Sequence, residues 1–64
     1  MAIFDVDDKV RVSNDSTTAY RGKVGVVETY MEEVVGVMCQ VRFSDVPNLP
    51  PTEWFPEEML EPAK

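Results

Sequence analysis

The sequence predicts an all-β domain, a small curled barrel of five antiparallel strands, on three observations. Two segments, Lys9-Val10-Arg11-Val12-Ser13 and Val37-Met38-Cys39-Gln40-Val41-Arg42-Phe43, alternate apolar and polar residues with the period of two that marks a half-buried strand. Between them, Tyr20-Arg21-Gly22-Lys23-Val24-Gly25-Val26-Val27 sets two glycines three apart in a valine run. Valine favours a strand, and glycine weakens one unless the backbone must bend or a neighbour must come close. Finally, turn residues interrupt the chain every few positions, and no stretch is long enough to hold a helix alone.

The elements follow in order. Ala2-Ile3-Phe4-Asp5 is a short apolar lead-in, and Val6-Asp7-Asp8 is a tight turn, since aspartate bends the chain with its own side chain. Lys9–Ser13 is the first strand, with Val10 and Val12 inward and Lys9 and Arg11 outward. Residues 14–19 are a polar exposed loop. Tyr20 closes it, packing its ring and leaving its hydroxyl in water. The second strand runs from Lys23 to about Tyr30, with Gly25 and Val27 inward and a bulge turning Tyr30 toward the core. Residues 31–36 form a hairpin connection in which Gly36 reverses the chain.

Val37 to Phe43 is the third strand, with Val37, Cys39, Val41 and Phe43 inward. Residues 44–51 carry Pro47, Pro50 and Pro51, three of the five prolines, and make a stiff loop outside the sheet. Thr52–Phe55 is the fourth strand. One ring of Trp54 and Phe55 faces in and the other out. Pro56–Met59 suits a single 3-10 turn, opened by proline with carboxylates at its N-terminal end. Leu60-Glu61 is the fifth strand, and Pro62-Ala63-Lys64 a frayed tail. The expected core is Val10, Val12, Val27, Cys39, Val41, Phe43, Phe55 and Leu60.

The 64 residues make one domain, 1–64. A chain this short buries only about 60% of the surface its unfolded form exposes, and a deep catalytic cavity would consume its core. No enzyme is expected. Histidine is absent and cysteine occurs once, so neither a nucleophile–base set nor a zinc site of ordinary spacing can be assembled. The acidic clusters Asp5/Asp7/Asp8, Glu32/Glu33 and Glu57/Glu58 lack calcium-loop spacing. No metal or cofactor is expected. A lone cysteine suits a reducing compartment, and no leader pattern or membrane span is visible.

Charge narrows the partner class. Twelve acidic residues against six basic give a net charge of −6. An acidic field repels phosphate backbones, so nucleic acid is not an expected partner. Lys9, Arg11 and Arg42 all face outward from strands of one sheet, with Arg21 and Lys23 nearby. Gathered, they form a positive patch on a negative protein. Scattered, they are solubilising charges paired across strands with Glu28 or Glu53. Trp54, beside Pro50-Pro51, is the other surface candidate, an anchor for a protein partner if its ring faces out.

Asp8-Lys9-Val10-Arg11-Val12, the Tyr20–Val27 stretch, Val41-Arg42-Phe43 and Phe55-Pro56-Glu57-Glu58-Met59-Leu60-Glu61 together resemble the SH3-like barrels of photosynthetic electron transfer. The chain is most similar to the photosystem I reaction-centre subunit IV family, whose fold the variable chain of ferredoxin–thioredoxin reductase shares. The glycine–valine stretch also resembles KOW domains of ribosomal and transcription proteins. The first resemblance implies an SH3-like barrel with one 3-10 turn before its last strand. It implies a non-enzymatic accessory subunit that docks an acidic electron carrier such as ferredoxin through Arg42. It places Phe55 inward and Trp54 at least partly outward; with the outward Lys9 and Arg11 read from the alternation, the expected partner-binding set is Lys9, Arg11, Arg42 and Trp54. It places the chain in the cytoplasm or on the stromal or cytoplasmic face of a thylakoid complex, with any membrane association peripheral and through a partner. The KOW resemblance implies the alternative, a nucleic-acid- or ribosome-associated module. In the subunit IV family glycine is usual where Asp7 stands.

From the charge, binding to RNA or DNA at physiological salt is expected to be no tighter than about 10⁻⁴ M. A fluorescence-anisotropy titration showing salt-sensitive micromolar binding would reverse that and favour the KOW reading.

Overall fold

The computed structural model describes residues 3–63. Within them the order is β1 (Lys9–Val12), β2 (Val24–Glu33), β3 (Gly36–Phe43), β4 (Thr52–Pro56), the 3-10 turn η1 (Glu57–Met59) and β5 (Leu60–Pro62). The strands form one antiparallel sheet in the order β4-β3-β2-β1-β5. Residues 2 and 64, placed by the sequence in the lead-in and the tail, lie outside the described residues.

Each expected strand is present, and the alternation is obeyed. In β1 Val10 and Val12 are buried between exposed Lys9 and Arg11, and in β3 Val37, Cys39, Val41 and Phe43 are buried. Phe55 of β4 and Leu60 of β5 join the same cluster although their strands are the two edges of the sheet. Only a curled sheet can bring both edges to one core. All eight expected core residues are buried, with Val10, Val12, Val27, Cys39 and Val41 fully enclosed.

The two glycines have distinct tasks. Gly22 takes φ +77 at the third position of a turn closed by the Lys23 N–H donating to the Tyr20 carbonyl at 2.9 Å. A residue with a side chain is strained there. Gly25 lies under β3: a Cβ on it would sit 2.6 Å from both the Arg42 carbonyl oxygen and Val41 Cγ1. The Val10↔Gly25↔Phe43 register therefore requires a residue without a side chain. Asp7 takes φ 76 in a turn closed by Asp8 N–H to the Asp5 carbonyl at 3.1 Å. Aspartate tolerates that conformation better than most residues, which explains how the turn forms without glycine.

Four expectations are corrected. β2 runs to Glu33, and the chain reverses at Val34-Val35, with Gly36 opening β3 at φ +136. The register does shift between Val27 and Thr29, and it sets Tyr30 opposite the core residue Cys39, but Tyr30 stays 40% exposed. β1 and its ladder have already ended there, and the residue is only partly covered. The Tyr20 hydroxyl is not wet: it donates to the Pro50 carbonyl at 2.7 Å. The 44–51 loop lies outside the sheet as expected, but it also covers the core: Val46 is buried, Leu49 packs on the cluster, and the Phe43 N–H donates to the Pro51 carbonyl at 2.7 Å. The tail is not frayed at its start: Pro62 pairs with Val10, and the Ala63 N–H donates to the Lys9 carbonyl at 3.0 Å. Phe4, also buried, turns the lead-in into part of the core.

Val41→Ala should cost about 1–3 kcal/mol through lost burial and the cavity left behind. Gly25→Ala, though a smaller change, should cost a similar ~1–3 kcal/mol, since β3 must move away. Urea denaturation of both variants measures the two costs; a Gly25→Ala midpoint equal to the native one would show that the crossing has slack.

Candidate protein-docking face

The register decides which outward side chains meet. Residues directly opposite in an antiparallel ladder share a face of the sheet. Lys9 lies opposite Val26, and Val26 opposite Arg42, which lies opposite Thr52. Lys9 and Arg42 thus stand in one row across four strands, two strand spacings or ~10 Å apart, with Val26 between them. Arg11 occupies the next row, opposite Val24 and Glu61. Trp54 stands opposite Gln40 and is the diagonal neighbour of Arg42. Its ring is half-buried on the outer face, while Phe55 is buried in the core. The structure thus brings all four sequence-predicted residues onto one face.

Their electrostatic situations differ. Arg11 Nε donates to Glu61 Oε1 at 2.9 Å. Arg42 Nη1 pairs with Glu28 Oε2 at 3.2 Å, with the arginine side chain 62% exposed. Glu28 is the extra residue at the register shift, so the bulge itself carries the carboxylate toward Arg42. Exposed pairs of this kind are worth about 0–1 kcal/mol and exchange partners readily. Among the described residues, neither Lys9 nor Lys23 makes an ion pair.

A groove of about 910 Å³ opens here, lined by Lys9, Lys23 and Arg42 together with the apolar Val24, Val26 and Val46. Asp45 is the one acidic residue in that lining. Lys23 was legible as a candidate member of the positive patch, through its place beside Gly22. Val46 was missed, because nothing periodic marks a loop residue as one the groove will use. Farther along the same face Met31, Met38 and Pro56 form a second row beside Trp54, an apolar continuation that the alternation past the bulge would have shown.

The thiol of Cys39 and the phenol of Tyr20 are both enclosed. Cys39 is fully buried, and burial first, then the charge of Glu57, pushes its thiol up from the ordinary range. It stays protonated and unreactive. Tyr20 packs against Phe43 and Phe55 at centroid distances of 4.8 and 5.6 Å, and desolvation first, then Glu53, raises its phenol. Among the described residues no group of three or more His, Cys, Asp or Glu side chains could hold a metal ion. No helix there is long and apolar enough to cross a membrane.

Comparison with protein-family models, curated proteins and solved structures returned no match.

Two raised acids fix the sign of the alkaline response. The fold holds each proton more tightly than the unfolded chain does. Their contribution is complete below the unfolded values, ~8.5 for a thiol and ~10 for a phenol, and is lost as pH rises through the folded ones. Urea midpoints should therefore fall between about pH 8 and pH 11, and fall less in a Cys39→Ala, Tyr20→Phe double variant. A fall of equal size in both proteins would assign the alkaline loss to other groups.

Proposed function

We propose that this chain is a non-enzymatic protein-interaction module of SH3-like barrel type, whose outer face receives an acidic segment of a partner. The observation that carries the reading is the Lys9–Val26–Arg42 row, cations flanking an apolar floor on a chain of net charge −6. A guanidinium on a strand is held by its neighbours' packing and can grip a carboxylate through two parallel hydrogen bonds. Arg42 has only to exchange Glu28 for the partner's carboxylate, and Lys9 and Lys23 steer that carboxylate inward. Trp54, beside Arg42, offers a flat apolar contact at modest entropic cost. An acidic electron carrier of the ferredoxin type, docked by an accessory subunit of a photosynthetic complex, is the partner that the family resemblance favours.

The net charge opposes such a partner at long range, so binding should be weak and salt-sensitive. In a titration with ferredoxin followed by amide shifts, the native chain should respond at Lys9, Val26 and Arg42. Arg42→Gln should weaken the complex about 5-fold, and Glu28→Gln, which removes the internal competitor, should strengthen it about 2–5-fold. Absence of native shifts in that row, or a Glu28→Gln variant that binds less well, would sink the proposal.

A further inference from the structure

One exposed feature is left unused by this reading. The β2–β3 hairpin ends in Val34 and Val35, which are 107% and 91% exposed, with Met31 at 48% and Tyr30 at 40% just behind. The ladder of β1 reaches only Val26 on β2, and that of β4 only Met38 on β3, so residues 32–37 project past both flanking strands. Two valines are a poor choice for a two-residue turn, where Asn-Gly is strongly preferred. Exposed apolar side chains clustered at one point mark contact surfaces.

The charge around the tip is one-sided. From Val24 to Val41 the chain has no lysine or arginine, and Glu33 adjoins Val34. The tip is thus an apolar knob bearing carboxylate. The groove has the opposite character, lined by three cations, Lys9, Lys23 and Arg42, against one acid, Asp45, with Val24 and Val26 as apolar surface. The groove includes the start of β2, and the tip follows directly on its end. Ten residues at ~3.3 Å span about 30 Å, close to the longest dimension of the molecule, 31 Å. A tip cannot reach its own groove.

We infer that the chain associates head to tail, with the Val34-Val35 tip of one copy seated in the Lys9–Lys23–Arg42 groove of the next. This rests on the reading that the groove takes acidic, apolar segments. The two contact surfaces differ, so the interface is heterologous and leaves a free tip and a free groove at the ends of every run. The charge of −6 per copy resists assembly at low salt. At about 0.15 M the screening length is ~8 Å, which hides charges at opposite ends of the molecule while sparing pairs in contact.

Sedimentation equilibrium of the full chain at that salt, from about 10 μM to 1 mM, is the test. The weight-average mass should rise with concentration to at least about twice the 7.3 kDa monomer. Val34→Asn/Val35→Gly removes the knob and supplies a favoured turn, so the fold survives. Lys23→Glu/Arg42→Glu removes the groove. Each variant alone should be monomeric. Mixed in equal amounts they should form a dimer and stop there, because one supplies the only working tip and the other the only working groove. A monomeric native chain at every concentration, a tip variant that still assembles, or a mixture that stays monomeric each overturns the inference. The tip variant keeps its groove, so its ferredoxin titration separates the two ideas. Native-like shifts at Lys9 and Arg42 alongside a monomeric native chain sink only the head-to-tail contact, whereas loss of both sinks the groove reading as well.

Discussion

Everything on the outer face depends on how closely β2 and β3 approach at Gly25. The backbone carbonyl of Arg42 and the side chain of Val41 occupy the space where a β-carbon would stand. That contact fixes the Gly25↔Phe43 and Val26↔Arg42 pairs, and with β1 on the other side it fixes Lys9↔Val26. A slip of β3 by one residue against β2 would turn Val41 out of the core and Arg42 into it. One missing methyl group thus holds the hydrophobic interior and the cationic row in the same register.

The bulge at Glu28 adds the second constraint. It absorbs one residue of β2, so that Thr29 rather than Glu28 faces Gln40. The inward set can then continue from Val27 to Tyr30 opposite Cys39, while the spare carboxylate is left beside Arg42. The same local irregularity keeps the hairpin in phase and sets the resting state of the candidate docking arginine. Aromatic packing closes the opposite side. Tyr20, Phe43 and Phe55 form a tilted and edge-on trio, and the Tyr20 hydroxyl ties the loop before β2 to the proline loop before β4.

The strands were legible because their side chains alternate. Val10/Val12 and Val37/Cys39/Val41/Phe43 have one consistent inward set each, and burial follows it without exception. Gly25 was legible as a crossing point because a glycine in a valine run has little other reason to be there. Phe4 and Val46 were not, since each is recruited from an irregular segment whose geometry is set by distant parts of the chain. The hydroxyl of Tyr20 finds its acceptor 30 residues away, which no local pattern encodes. Of the candidate face, the outward direction of Lys9, Arg11 and Arg42 could be read from alternation alone. Their meeting in adjacent rows could not, because it depends on the register of β1 and β3 against β2. Of the two acids that cross-strand pairing offers the outward cations, Glu28 and Glu53, the bulge brings Glu28 to Arg42.

The two edges of the sheet are poor templates for another strand. On β4 the Trp54 N–H is already donating to the Glu53 carboxylate at 3.1 Å, with Pro51 just before the strand and Pro56 at its end. On β5, only three residues long, Pro62 has no N–H to give. For a chain this small and valine-rich, those details act as protection against cross-β growth at the concentrations reached during synthesis. Along β4 and β5 they leave side chains, rather than backbone, as the means by which a second molecule can be recognised.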